Sequence, residues 1–166
     1  MATITLKGNP THTVGTLPAI GSTAADFKFT KTDLTDVDMH SFSGKRIILN
    51  IFPSLDTSTC AASVRKFNKE AAGLKNTVIL AISKDLPFAH KRFCTVEGIE
   101  NVIPASLLRN DKFATDYGVL IADGPMAGLL SRAVVVLDEK GKVIYTEQVP
   151  EIGQEPNYEN ALKVLA

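Results

Sequence analysis

Only two residues in this chain carry a thiol that can do covalent chemistry: Cys60 and Cys94. Cys60 closes the segment Pro53-Ser-Leu-Asp-Thr57-Ser-Thr-Cys60. That segment follows an apolar run, Arg46 to Phe52, which reads as a buried strand, and precedes Ala61 to Ala72, which reads as a helix. The cysteine therefore falls at or just inside a helix N-terminus, where free N–H groups and the helix dipole favour an anion. Thiols in such positions tend toward a lowered pKa, and the thiolate is the nucleophile. The plainer reading of Cys60 is a small buried hydrophobe, a common role for a free cysteine. Hydroxyls at Thr57, Ser58 and Thr59 favour the reactive reading, since they can hydrogen-bond a thiolate and an incoming oxygen. Pro53 has no N–H and a fixed φ, so it can shape the loop and cover the sulfur without competing for it.

Cys94 lies in Phe88-Ala-His-Lys-Arg-Phe-Cys94, one helical turn after His90 and roughly opposite Phe88 and Arg92. Alone it reads as a core filler. A Cys-His hydrolase would need a histidine beside Cys60 and an oxyanion hole. His90 reads instead as a solvated surface residue and, with His12 and His40, stays outside the site. Two cysteines are too few for a disulfide framework or a zinc site, and the histidines show no ligand spacing with both sulfurs.

The elements that must position these residues follow from periodicity and turn signals. Thr3–Lys7 and Thr11–Val14 around Gly8-Asn-Pro10 read as an N-terminal hairpin, and Ala25–Thr30 and Thr35–Met39 as short strands. Thr77–Ser83 is a second buried-strand run, and a helix is expected from Pro87 to Val96. An extended piece near Val102–Leu108 and a small helix, Asp111–Tyr117, stopped by Gly118, come next. Ala133–Leu137, Asp138–Gly141 and Lys142–Glu147 give a strong hairpin signal, and Tyr158–Leu165 a closing helix. Two βα units and an antiparallel hairpin imply a mixed sheet with helices on both faces, a thioredoxin-like α/β sandwich. A flavodoxin-like sheet fits less well, since its strands run parallel.

At 166 residues the chain reads as a single domain, 1–166, without repeats or a linker. Apolar residues are 45% of it, and 18 basic side chains balance 18 acidic ones. That balance gives no reason to invoke nucleic acid or an anionic membrane. No apolar run is long enough for a membrane span and no signal peptide is visible, so a cytoplasmic protein is expected. The glycines of Ala122–Ser131 match no phosphate-loop pattern. That segment reads as an ordered loop into Arg132, with Met126, Leu129 and Leu130 lining a substrate path, a subunit contact or the core.

The pattern proline, three residues, threonine, two residues, cysteine, on a strand–loop–helix, is the peroxiredoxin pattern. The chain resembles the atypical two-cysteine peroxiredoxins, the bacterial thiol peroxidases, along nearly its whole length. The matching segments include Asn50–Thr57, Cys60–Phe67, Asp85–Ala89, Arg92-Phe-Cys94, Ile121–Pro125 and Arg132–Leu137. The resemblance implies that Cys60 is the peroxidatic thiolate, becoming sulfenic acid, and that Thr57 hydrogen-bonds it and aligns the peroxide. It implies that Arg132 supplies positive charge to the sulfur and the developing alkoxide, where sequence alone suggests a surface arginine at a strand edge. It implies that Cys94 resolves the sulfenic acid as an intramolecular disulfide, which thioredoxin reduces. Hydrogen peroxide and alkyl or lipid hydroperoxides are the implied substrates, with no metal, heme or flavin, and a homodimer is the family's usual assembly. A disulfide needs Cα atoms within about 7 Å. Two cysteines on separate packed helices usually start farther apart, so one or both segments are expected to unwind in each cycle. A redox-regulated binding protein is the alternative from another class. A disulfide oxidoreductase would carry cysteine where Thr57 stands.

Overall fold

The computed structural model describes residues 1–166. A seven-stranded mixed sheet forms the centre, built from β3 (Lys28–Thr30), β4 (Asp36–Asp38), β5 (Arg46–Ile51), β6 (Thr77–Ser83), β7 (Ile103–Ser106), β8 (Ala133–Leu137) and β9 (Val143–Gln148). The strand order is β4-β3-β7-β6-β5-β8-β9. β5, β6 and β7 run parallel, while β8 and β9 return antiparallel as the expected hairpin. β3 joins β7 antiparallel through the pair Thr30–Ser106.

Burial on both faces explains the unbroken apolar runs of β5 and β6. Ile47, Leu49 and Ile51 of β5 face a cluster with Phe27, Phe29, Phe113 and Tyr117. Ile48 and Phe52 face the opposite way, toward Cys60, Val64 and Phe67 of α1 (Ser58–Ala71) and Ala161 of α4 (Tyr158–Lys163). Cys94 and Phe93 of α2 (Pro87–Glu97) border this second cluster. The short α3 (Lys112–Asp116) lies with the first, its Phe113 stacked on Tyr117 at 4.3 Å. Helices thus cover both faces of the sheet, the thioredoxin-like sandwich expected from the element order.

Gly118 ends α3 with φ 65°, and a Cβ there would lie 2.1 Å from the carbonyl oxygen of Thr16, so only glycine fits. The N-terminal hairpin, β1 (Thr3–Leu6) and β2 (Asn9–His12), turns one step earlier than Gly8-Asn-Pro10 suggests. Lys7 and Gly8 both take positive φ, 51° and 81°, the twist favoured by a two-residue hairpin turn, and Pro10 lies inside β2.

Candidate active site

The loop after β5 delivers Cys60 to the first turn of α1. Thr57 is the N-cap, its Oγ1 accepting the Cys60 N–H at 3.4 Å and donating to the Ser54 carbonyl at 3.1 Å. Its hydroxyl proton is therefore spent on the loop here and not on the sulfur. Thr59 donates to the Gly153 carbonyl, and Ser58 is exposed, so neither hydroxyl turns to the sulfur. Pro53 is buried at the start of the loop.

Cys60 has no solvent exposure, and the only side chain that hydrogen-bonds its sulfur is Arg132, whose Nη2 donates to Sγ at 3.3 Å. Arg132 is not a surface arginine; it is 2% exposed. Its Nε donates to the Ile152 carbonyl at 2.8 Å, and its own carbonyl accepts from the Val149 N–H and Gln148 Nε2. Its Nη1 is buried without a partner. A desolvated guanidinium with an unused donor, already touching a sulfur, is an anion-seeking arrangement.

Three supports of this geometry were not legible in the motif. Asn50 sits on the α1 side of β5, with Nδ2 donating to Ser63 Oγ at 3.2 Å, and Ser63 Oγ donates to the Cys60 carbonyl at 2.8 Å. A lone asparagine inside Ile-Ile-Leu-Asn-Ile-Phe was the available signal. Glu151 fixes the segment whose Ile152 carbonyl orients Arg132. It accepts from Thr5 Oγ1 at 2.6 Å and from the N–H groups of Lys7, Gly8 and Gly153. The Thr5 hydroxyl first, then the Gly8 and Lys7 N–H groups, hold its carboxyl down at about 2. The N-terminal hairpin thereby braces the arginine from behind. Asp85, after β6, accepts from Ser54 Oγ and from the Leu55 N–H, both in the Cys60 loop.

Cys94 sits in the last turn of α2, half-buried, and both thiols are free. Desolvation pushes the Cys94 thiol up to about 11. A groove of about 470 Å³ between α1 and α2 passes Leu55, Thr57, Ala61, Phe93 and Val96. His90 departs from expectation. It is 1% exposed, its Nε2 lies 3.1 Å from Ser83 Oγ, and desolvation lowers it to about 4, partly opposed by the charge of Asp85. It is the one buried polar residue of α2 and faces the end of β6, and a polar side chain gave no sign of that. Leu130 is core, Leu129 is half-buried, and Met126 packs on Ile4, Ile121 and Ile152.

The chain matches the family described as Redoxin over residues 19–162. It is 61% identical to the "Thiol peroxidase" of Mycobacterium tuberculosis over 165 residues, covering 99% of both chains. The chain belongs to the redoxin family, among its thiol peroxidases. The thiol peroxidase of Mycobacterium bovis shows the same 61% identity and coverage. A crystal structure of a peroxiredoxin-like protein from Aquifex aeolicus superposes with TM-score 0.92 at 40% identity, covering 99% of this chain and 96% of that one. The fold of a thiol peroxidase from Chromobacterium violaceum agrees with TM-score 0.90 at 22% identity, over 98% and 94% of the two chains. Family membership makes the chain a peroxidase and brings the sulfur–guanidinium contact into a redox context. No helix is long and apolar enough to cross a membrane.

Proposed function

We propose that this thiol peroxidase reduces hydrogen peroxide and organic hydroperoxides at Cys60, with Cys94 as the resolving thiol and thioredoxin as the reductant. The observation that carries this reading is the Arg132 contact: Nη2 on Cys60 Sγ at 3.3 Å, with Nη1 buried and unpartnered beside it. A cation in contact with sulfur favours its anionic form, and the unused donor suits an oxygen that gains charge as the O–O bond breaks.

The Cys60 thiolate attacks the distal peroxide oxygen. The S–O bond forms, the O–O bond breaks, and the alkoxide leaves as alcohol or water after taking up a proton. The peroxide is reduced by two electrons and Cys60 becomes a sulfenic acid. Thr57 holds the first turn of α1 in place, and rotation off the Ser54 carbonyl would free its hydroxyl for a bound peroxide. Pro53 shapes the loop. Cys94 then attacks the sulfenic sulfur, an S–S bond forms, and the oxygen leaves as water. A dithiol such as thioredoxin's takes the disulfide by exchange, restoring both thiols and becoming oxidised itself. The groove along Phe93 and Val96 suits the hydrocarbon part of an alkyl or lipid hydroperoxide. The whole chain, 1–166, acts as one domain in the cytoplasm, where reductant is at hand, and as a homodimer.

The test is the intact mass of fully reduced protein after one equivalent of an organic hydroperoxide, with free thiols counted. Loss of two hydrogens and both thiols is expected. One added oxygen with Cys94 still free would remove Cys94 from its role. An unchanged mass would remove Cys60 from its own and favour the redox-silent reading of both cysteines.

A further inference from the structure

Asp85 is a half-buried carboxylate that the peroxidase chemistry leaves unused, and it joins the two segments that carry the two thiols. Its Oδ1 accepts from Ser54 Oγ at 2.7 Å, and its Oδ2 accepts from the Leu55 N–H at 2.8 Å. Both donors belong to the loop whose Thr57 caps the helix of Cys60. On the other side, Oδ2 accepts from Ser83 Oγ at 2.5 Å, and Ser83 Oγ meets His90 Nε2 at 3.1 Å on the first turn of α2. With the Ser83 proton committed to the carboxylate, Nε2 must be the histidine's donor, which leaves Nδ1 bare and matches its lack of a partner. The Asp85 carbonyl accepts from Ser106 Oγ at 2.5 Å, so the carboxylate is anchored to the ends of β6 and β7. An exposed Arg92–Asp56 pair at 3.0 Å crosses the same gap but is open to solvent and worth little.

We propose that Asp85 is a positioning residue, a latch that holds the Cys60 loop closed against the base of the Cys94 helix and so sets the rate at which the two sulfurs meet. This rests on the reading that Cys94 resolves Cys60. Cys60 has no exposure in the closed loop, so the Cys94 sulfur reaches it only when the loop, α2, or both give way. Hydrogen bonds to a carboxylate are among the stronger ones a protein makes, and a half-buried cluster of three supports an ordered closed state. Closure keeps Arg132 and Thr57 assembled for the attack on peroxide; opening allows the S–S bond to form with loss of water. The two steps therefore respond to the latch in opposite directions, a pattern that general loss of structure does not produce.

The test uses reduced full-length protein, an organic hydroperoxide, rapid quenching with thiol alkylation, and mass analysis of sulfenic, disulfide and sulfinic forms over time. In Asp85→Ala, disulfide formation from the sulfenic acid should speed up by about tenfold, the scale of losing charge-assisted hydrogen bonds. The bimolecular oxidation of Cys60 should fall by less than about threefold, because the closed form still dominates. Sulfinic acid formed under excess peroxide should drop as the sulfenic acid shortens in lifetime. Asp85→Asn, which keeps the shape, and Ser54→Ala, which removes one of the bonds to the carboxylate, should show smaller shifts in the same sense; they decide the matter if Asp85→Ala does not fold. Resolution that is unchanged or slowed in parallel with oxidation overturns the latch while leaving the disulfide reading intact. Wild-type protein that forms no intramolecular disulfide overturns the disulfide reading, and the latch falls with it.

Discussion

Cys60 lies in the first turn of α1, at the end of the helix where N–H groups point outward, with a guanidinium on its sulfur. Cys94 lies in the last turn of α2, where its own carbonyl accepts from the N–H groups of Gly98 and Ile99. One thiol thus occupies the positive end of a helix dipole and the other the negative end. Burial gives Cys94 no compensating charge and raises it to about 11, so it waits as a protonated thiol. Cys60, fully buried, has the Arg132 guanidinium in contact with its sulfur, and that cation is itself held by the Ile152 carbonyl. Identical side chains thus have opposite surroundings, which is the basis for the proposed division into nucleophile and resolver.

Removing the cation is the largest way to erase this contrast. Arg132→Met should slow oxidation of Cys60 by about a hundredfold or more, the usual scale for losing a preorganised charge donor. Arg132→Lys should recover part of that loss, since it restores charge without the fork that bonds the sulfur and Ile152 together. Single-turnover kinetics with an organic hydroperoxide checks both. Equal rates in wild type and Arg132→Met would mean that the contact is structural only.

The smaller effect sharpens the contrast from the Cys94 side. His90 is depressed from 6.5 to about 4 by burial. Between those values the unfolded chain binds a proton that the folded chain refuses. The neutral histidine's contribution is therefore complete above pH 6.5 and is lost as pH falls toward 4, at a cost of roughly 3 kcal/mol. Denaturant titrations at pH 7 and pH 4.5 should show that loss in wild type and less of it in His90→Gln. The same slope in both proteins would assign the acid sensitivity elsewhere.

The placement of Cys60 at a helix start was legible because its signals are local: a buried-strand run, a loop with proline and threonine at fixed spacing, and a helix beginning close to the cysteine. The two βα units and the final hairpin were legible for the same reason, each being a contiguous apolar pattern. Arg132 was not. It stands 72 residues from the sulfur it touches, and an arginine ahead of a strand has no local mark of burial. Only the family resemblance pointed to it. Asp85 and Glu151 carry no local mark of their roles either, since the partners of Asp85 lie in the Cys60 loop and those of Glu151 in the N-terminal hairpin. His90 failed in the opposite direction, because periodicity alone does not say which polar residue of a helix turns inward. The hairpin turn was misplaced because Asn-Pro is a turn signal, and the backbone put its positive φ values at Lys7 and Gly8 instead.

The central claim, that the surroundings make Cys60 the nucleophile and Cys94 the resolver, is tested most directly by the two single-cysteine variants. Cys94→Ser and Cys60→Ser are each mixed with one equivalent of an organic hydroperoxide, and the rate and site of oxygen addition are read by mass spectrometry. Cys94→Ser should consume peroxide at the wild-type rate and carry the added oxygen on Cys60, with no disulfide. Cys60→Ser should react no faster than an ordinary buried thiol. Rapid oxygen addition at Cys94 in the absence of Cys60 would contradict the assignment.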